Sequence, residues 1–188
     1  MANTDTPFGL KPVRDAGSAP YNDGVEMFYV PASDSTALFI GDPVIRAGSG
    51  DAAGVPSATR AAATGAITGV VVGFTDPDSM ELGYGAASTD RYALVRTEPD
   101  TLYEIQVNGT LAAADVGLNA NISIGAGNTY NRLSGVELDA ATKATTATLQ
   151  LRIMGFAQRP DNEVAADAVV YVKINNSTEV AGTASAGI

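Results

Sequence analysis

The sequence predicts an all-β protein: a single β-barrel or β-sandwich body, an extended N-terminal arm and at most one short helix. Three observations predict it. Apolar residues fall in short runs rich in Val, Ile, Tyr and Phe, and several alternate with polar residues. Gly, Pro, Asn and Asp cut these runs every 8–15 residues, the punctuation of a sandwich or barrel. Helical period is confined to one segment, TLAAADVGL at 110–118, which predicts one or two turns ended by Gly117.

Residues 1–20 read as an arm. Pro7, Pro12 and Pro20 forbid a continuous helix, and Gly9 and Gly17 loosen the rest. It is either a frayed terminus or an extended segment lying across a neighbouring subunit or its sheet edge. Phe8, Leu10 and Val13 favour the second, and Lys11 and Arg14 bring positive charge to an acidic chain.

The body, 21–176, opens with VEMFYV (25–30), stopped by Pro31. ALFI (37–40) precedes the Gly41-Asp42-Pro43 turn, and VIR (44–46) follows it. Residues 47–66, small and polar, predict an exposed loop with one edge strand. ITGVVVGF (67–74) is apolar almost throughout, which predicts a central strand buried on both faces. RYALVR (91–96) comes next. In TLYEIQV (101–107), Tyr103, Ile105 and Val107 point inward while Glu104 and Gln106 point outward, and Asn108-Gly109 marks a hairpin turn. Residues 119–147 hold two or three short strands at most. LQLRIMGF (149–156) and VVYVKIN (169–175) each put alternate aliphatics on one face. The small, polar stretch 177–188 is expected to be a flexible tail.

Composition narrows the chemistry. The chain has 188 residues, enough for one domain with a real core, and contains neither His nor Cys. Imidazole catalysis, thiolate nucleophiles, disulfides and most zinc, copper, haem and iron–sulfur sites therefore have no ligands or reactive groups. With 45% apolar residues but only 6% aromatic and no Trp, the core is expected to be thin and aliphatic. Eleven Lys and Arg against 21 Asp and Glu give a net charge of −10, which repels nucleic acid and anionic membranes and favours solubility. The start, MANTDTPFGLK, lacks a basic stretch followed by an apolar one, and no apolar run approaches a bilayer span. A protein made in the cytoplasm, neither exported by that route nor anchored, is expected.

Candidate chemistry is sparse. The loop at 75–82 offers Asp76, Asp78 and Glu81 as oxygen ligands for Ca²⁺, without the spacing of an EF-hand, so solvated turn carboxylates are expected instead. Gly48, Gly50 and Gly54 lack the Lys-Ser/Thr and helix of a phosphate loop. A Ser–Lys hydrolase has only Lys11, Lys143 and Lys173 to draw on, and no carboxylate pair suggests a glycosidase. We expect no enzyme, no metal and no cofactor.

Several segments together resemble the capsid decoration, or cement, proteins of tailed bacteriophages. They are TPFGLKPVR (6–14), ALFIGDPV (37–44), ITGVVVGF (67–74), LYEIQ (102–106), ADVGLNANI (114–122), LSGVELD (133–139), LRIMGFAQRPDNE (151–163) and VYVKIN (170–175). The resemblance lies in their order and spread along the chain. It implies a β-rich virion structural protein on the outer head surface, often a homotrimer, that binds the major capsid protein and stabilises the expanded, DNA-filled head. No catalytic motif accompanies it. Pro7, Phe8, Leu10 and Lys11 are the expected partner contacts: apolar groups to be desolvated, and a cation to meet an acid. The alternative is a receptor- or glycan-binding module of a phage tail or adhesin, with Tyr84, Tyr92 and Tyr130 as its platform.

Overall fold

A computed structural model describes residues 3–15, 24–75, 83–180 and 187. Within them the chain is all-β. Twelve strands are joined by turns and two single-turn 3₁₀ helices, Ala113–Asp115 and Ala140–Thr142. The first sits in the segment expected to be helical. The second was not anticipated: Asp139 starts it by accepting the Ala141 N–H.

Strands β2 (Glu26–Val30), β3 (Pro43–Gly50), β4 (Pro56–Arg60), β5 (Gly69–Phe74) and β6 (Arg91–Arg96) close into a barrel in the order β2-β4-β3-β5-β6. A parallel contact between Tyr29 and Ser57 seals the ring. The remaining strands form a second, seven-stranded sheet: β1 (Lys11–Asp15), β7 (Thr101–Asn108), β8 (Asn119–Ala120), β9 (Ile122–Gly125), β10 (Gly135–Asp139), β11 (Leu151–Phe156) and β12 (Val169–Ile174). Its order is β8-β11-β12-β7-β10-β9. β7 organises it. β12 pairs along one edge, while β1 and β10 divide the other, β1 at Thr101–Glu104 and β10 at Val107 and Asn108.

Two cores result. Phe28, Val30, Leu38, Val44, Ala58, Val71, Phe74, Ala93 and Val95 fill the barrel. Leu10, Tyr103, Ile105, Val107, Ile122, Val136, Leu138, Leu151, Ile153, Val170 and Val172 form the larger core under the second sheet. β5 is the wall between them: Val70 packs into the sheet core and Val71 into the barrel core. That is why its sequence is apolar without alternation, although Val72 remains only half-buried.

The structure corrects several expectations. ALFI at 37–40 makes isolated bridges, Leu38 to Gly85 and Ile40 to Leu133, and is no strand. The expected loop at 47–66 contains the end of β3 and all of β4, which lies inside the closed ring and is not an edge. Asp51 builds the hairpin between them, accepting the Ala53 and Val55 N–H groups. Asn108-Gly109 ends β7 without a hairpin, because β7 pairs with β1, β10 and β12 and not with β8. Residues 177–179, expected in a free tail, are bonded to the barrel: Ser177 bridges Ile67, Thr178 meets Thr68 at 2.7 Å, and Glu179 pairs with Arg46 at 3.0 Å. The candidate cation ligands Asp76, Asp78 and Glu81 lie outside the described residues. No helix among the described residues is long and apolar enough to cross a membrane.

Candidate docking cleft

The N-terminal segment, expected as an arm free of the body, is built into it from Asn3 to Asp15. The Asn3 side chain donates to the Glu163 and Ala166 carbonyls and accepts the Glu163 N–H. Gln106 receives the Thr6 N–H and donates to the Thr4 carbonyl. Next comes a backbone crossing. Gly9 (φ +73°) lies against Gly41 (φ +93°), where a Cβ on Gly9 would stand 2.5 Å from the Gly41 carbonyl oxygen. Glycine is required on both sides of such a contact. Leu10 then donates to that same carbonyl at 2.9 Å, and β1 begins.

This path covers the outer face of β7. Glu104 and Gln106, expected in solvent, are 7% and 2% exposed. Their alternation was correct, but chain from far away covers the second face. Glu104 stands opposite Lys11 in register and is held by Arg159, whose Nη1 donates at 3.3 Å.

Between this face and the outside of the barrel lies a cleft of about 820 Å³. Phe8, Leu10 and Pro12 of the N-terminal segment line one side. Val25, Val72 and Leu94 of the barrel line the other, and Ile40, Gly41 and Leu133 close it. Its polar groups are Lys11, Glu104 and Arg159. An apolar cavity with a few convergent charges is the usual form of a binding site.

The four expected contacts divide within it. Phe8 and Lys11 line the cleft, Phe8 half-buried and Lys11 exposed. Pro7 is half-buried beside it. Leu10 is wholly buried in the protein's own core, so it anchors the segment and only its edge borders the cleft. Sequence reading missed Val25, Val72 and Leu94. Val72 and Leu94 occupy outward positions of barrel strands and Val25 lies just before β2, places where a polar residue is the norm, and an apolar residue there was the available signal.

The junction behind the cleft rests on Asp42. Its Oδ2 accepts the Phe39 N–H at 2.8 Å, and its Oδ1 accepts the Ser134 hydroxyl at 2.6 Å. Ser134 in turn accepts the Val136 N–H, tying the turn before β3 to β10. Burial raises the Asp42 carboxyl above its ordinary value, against the opposing effect of these hydrogen bonds and of Arg60.

The tyrosines expected as a platform are dispersed. Tyr84 stacks on Phe39, Tyr130 is 94% exposed, and Tyr92 tilts against Tyr29 with ring centroids 5.5 Å apart. The β2–β6 register creates this last pair. Tyr29 donates to Asp90 and Tyr92 to Asp51. The hydrogen bond to Asp90 is the main cause that pushes the Tyr29 phenol up to about 12. Among the described residues no group of three Asp or Glu side chains is placed to hold a metal ion.

Comparison of the chain with protein-family models, with characterised proteins and with solved structures finds no match.

Proposed function

We propose that this protein is a structural virion component that binds the outer surface of a tailed-phage head through the major capsid protein and stabilises the expanded, DNA-filled shell. The observation that carries this reading is the apolar cleft built around Phe8 and Lys11, two of the partner contacts expected from the apolar, Pro-broken N-terminal segment. A clamp of this kind needs a rigid body and a surface to desolvate. Both sheets are fixed by long-range pairing, and the cleft supplies the surface. Binding to the assembled lattice and not to free subunits stabilises the shell by mass action. A trimer adds avidity by contacting several capsid subunits at once. The reading includes no catalytic step and no cofactor.

The test is cosedimentation with expanded, empty heads of the virus whose genome carries this sequence, followed by electron microscopy. Density on the outer head surface, at sites of threefold or quasi-threefold symmetry, is expected. Density only at the portal or tail, or no binding at all, overturns the reading. Light scattering on the free protein checks for a particle three times the 19.1 kDa chain mass.

A glycan-binding module is the second reading, and the Tyr29–Tyr92 pair flanked by Asp90 and Asp51 favours it. Half-buried rings with carboxylates at their edges suit a sugar's apolar face and hydroxyls. A glycan array in which Tyr92→Ala loses every hit of the wild type would support it. An array without hits removes it.

A further inference from the structure

The cleft defines what kind of surface it fits. The protein carries a net charge of −10, yet Lys11 and Arg159 meet at this cleft with Glu104 as its one carboxylate. Arg159 already pairs with Glu104 and, at 3.9 Å, with Asp161. Lys11 has no ion-pair partner among the described residues, although it stands opposite Glu104 in register. Lys11 is therefore the cation that the cleft leaves open to a partner's carboxylate.

Its lip is apolar. Val25 and Met27 are 39% and 42% exposed, and Met27 is paired with Leu94, so a strip of outward apolar side chains runs along the barrel into the cleft. Apolar groups are rarely grouped this way on a solvated surface unless something covers them. A volume of about 820 Å³ is room for several side chains, and a strip continuing past the cavity is the shape of a protein interface, with an apolar centre and a charged rim.

We propose that the cleft docks a projecting segment of a protein partner that presents two or more apolar side chains beside an aspartate or glutamate. The apolar side chains enter between Phe8 and Leu94, and the carboxylate meets Lys11 at the rim. A basic segment is disfavoured, because it would face the uncompensated Lys11 at the rim. This deepens the surface-binding reading above and rests on it.

The experiment has two arms, with the folded full chain used in both and thermal melting as the control for folding. In the first, fluorescently labelled protein is incubated with an array of random decapeptides. Hits enriched in Leu, Ile, Val or Phe next to Asp or Glu are expected. Leu94→Glu and Val25→Glu, both on the outside of the barrel, should each reduce the hits at least tenfold. Lys11→Glu should remove the preference for acidic peptides. An array without hits, hits enriched in Lys and Arg, or hits unchanged in the barrel variants overturns the proposal. In the second arm the same variants are cosedimented with expanded heads. Heads that bind wild type and the variants equally refute the cleft's role and leave the capsid reading standing. Acidic–apolar hits lost in the variants, together with heads that bind nothing, support the cleft's role and refute the capsid reading.

Discussion

Arg96 and Asp15 join the two sheets at the end of β1. The Arg96 guanidinium, at the end of β6 in the barrel, donates to Asp15 Oδ1 at 2.6 Å. Its Nε reaches the Thr101 hydroxyl at 2.9 Å, which itself donates to Asp15. Its Nη1 reaches the Gly24 carbonyl at 2.8 Å. One buried cation thus holds the chain at both Asp15 and Gly24, on either side of residues 16–23. Removing one partner of a buried pair costs more than the pair contributes, because the remaining charge stays desolvated. Asp15→Ala should therefore lower unfolding stability by about 3 kcal/mol in urea titration. Asp15→Asn, which keeps the acceptor oxygen, should lose markedly less. If the two variants unfold together with wild type, the Arg96–Asp15 contact contributes nothing to the fold.

Leu10 and Lys11 are neighbours with separable roles. Leu10 is fully buried in the sheet core, while Lys11 is exposed on the opposite face of the segment. Leu10→Ala leaves a cavity and should cost about 2–5 kcal/mol. Lys11→Gln touches no packed group and should stay within about 0.5 kcal/mol of wild type, whereas a glutamate there would face Glu104 across the β1–β7 pair. For the same reason a deletion of residues 2–14 removes β1 and a core anchor, and its circular dichroism melt should fall well below that of the intact chain. A truncated protein that melts with wild type would show that the segment is dispensable to the body.

The parts of the fold legible in the sequence are those specified by local pattern. Tyr103, Ile105 and Val107 face the core as their alternation requires, as do Val170, Val172 and Ile174. The unbroken run at 67–74 signalled burial on two sides, and β5 has a core on each. What was illegible depends on chain that arrives from a distance. Glu104 and Gln106 are polar in sequence and buried in space because residues 3–6 and 157–163 cover them. β4 was expected only as an edge strand because Ser57 and Ala58, small enough to sit inside the ring, lack the bulky signature of a central strand. Within the cleft, Phe8 and Lys11 were identifiable by residue type, an aromatic and a cation in a Pro-broken terminus. Leu94 and Val72 were not, because only the closure of the barrel beside β1 makes their outward positions a wall.

Asp42 gives the junction between barrel and second sheet a pH dependence whose sign follows from its burial. The carboxyl is 2% exposed and its folded-state value lies above the ordinary 3.8. A group raised in this way favours the fold while protonated. That advantage is complete below the unfolded value and fades as pH rises through the folded one, at about 1.4 kcal/mol for each unit by which the two differ. Asp42→Asn does not titrate. Its Oδ1 can accept the Phe39 N–H while its amide donates to the Ser134 hydroxyl oxygen. The stability of the Asn variant relative to wild type should therefore improve from about pH 4 to about pH 7, measured as urea midpoints across the range. Ser134→Ala sharpens the test. The Ser134 hydroxyl is the strongest of the groups that lower the Asp42 carboxyl, so its loss should move the wild-type transition to higher pH. The same loss should cost about 1–3 kcal/mol at neutral pH, where the ionised carboxylate needs that donor most. Parallel pH profiles for wild type and Asp42→Asn would mean that Asp42 titrates as it does in the unfolded chain, and that its burial carries no electrostatic cost.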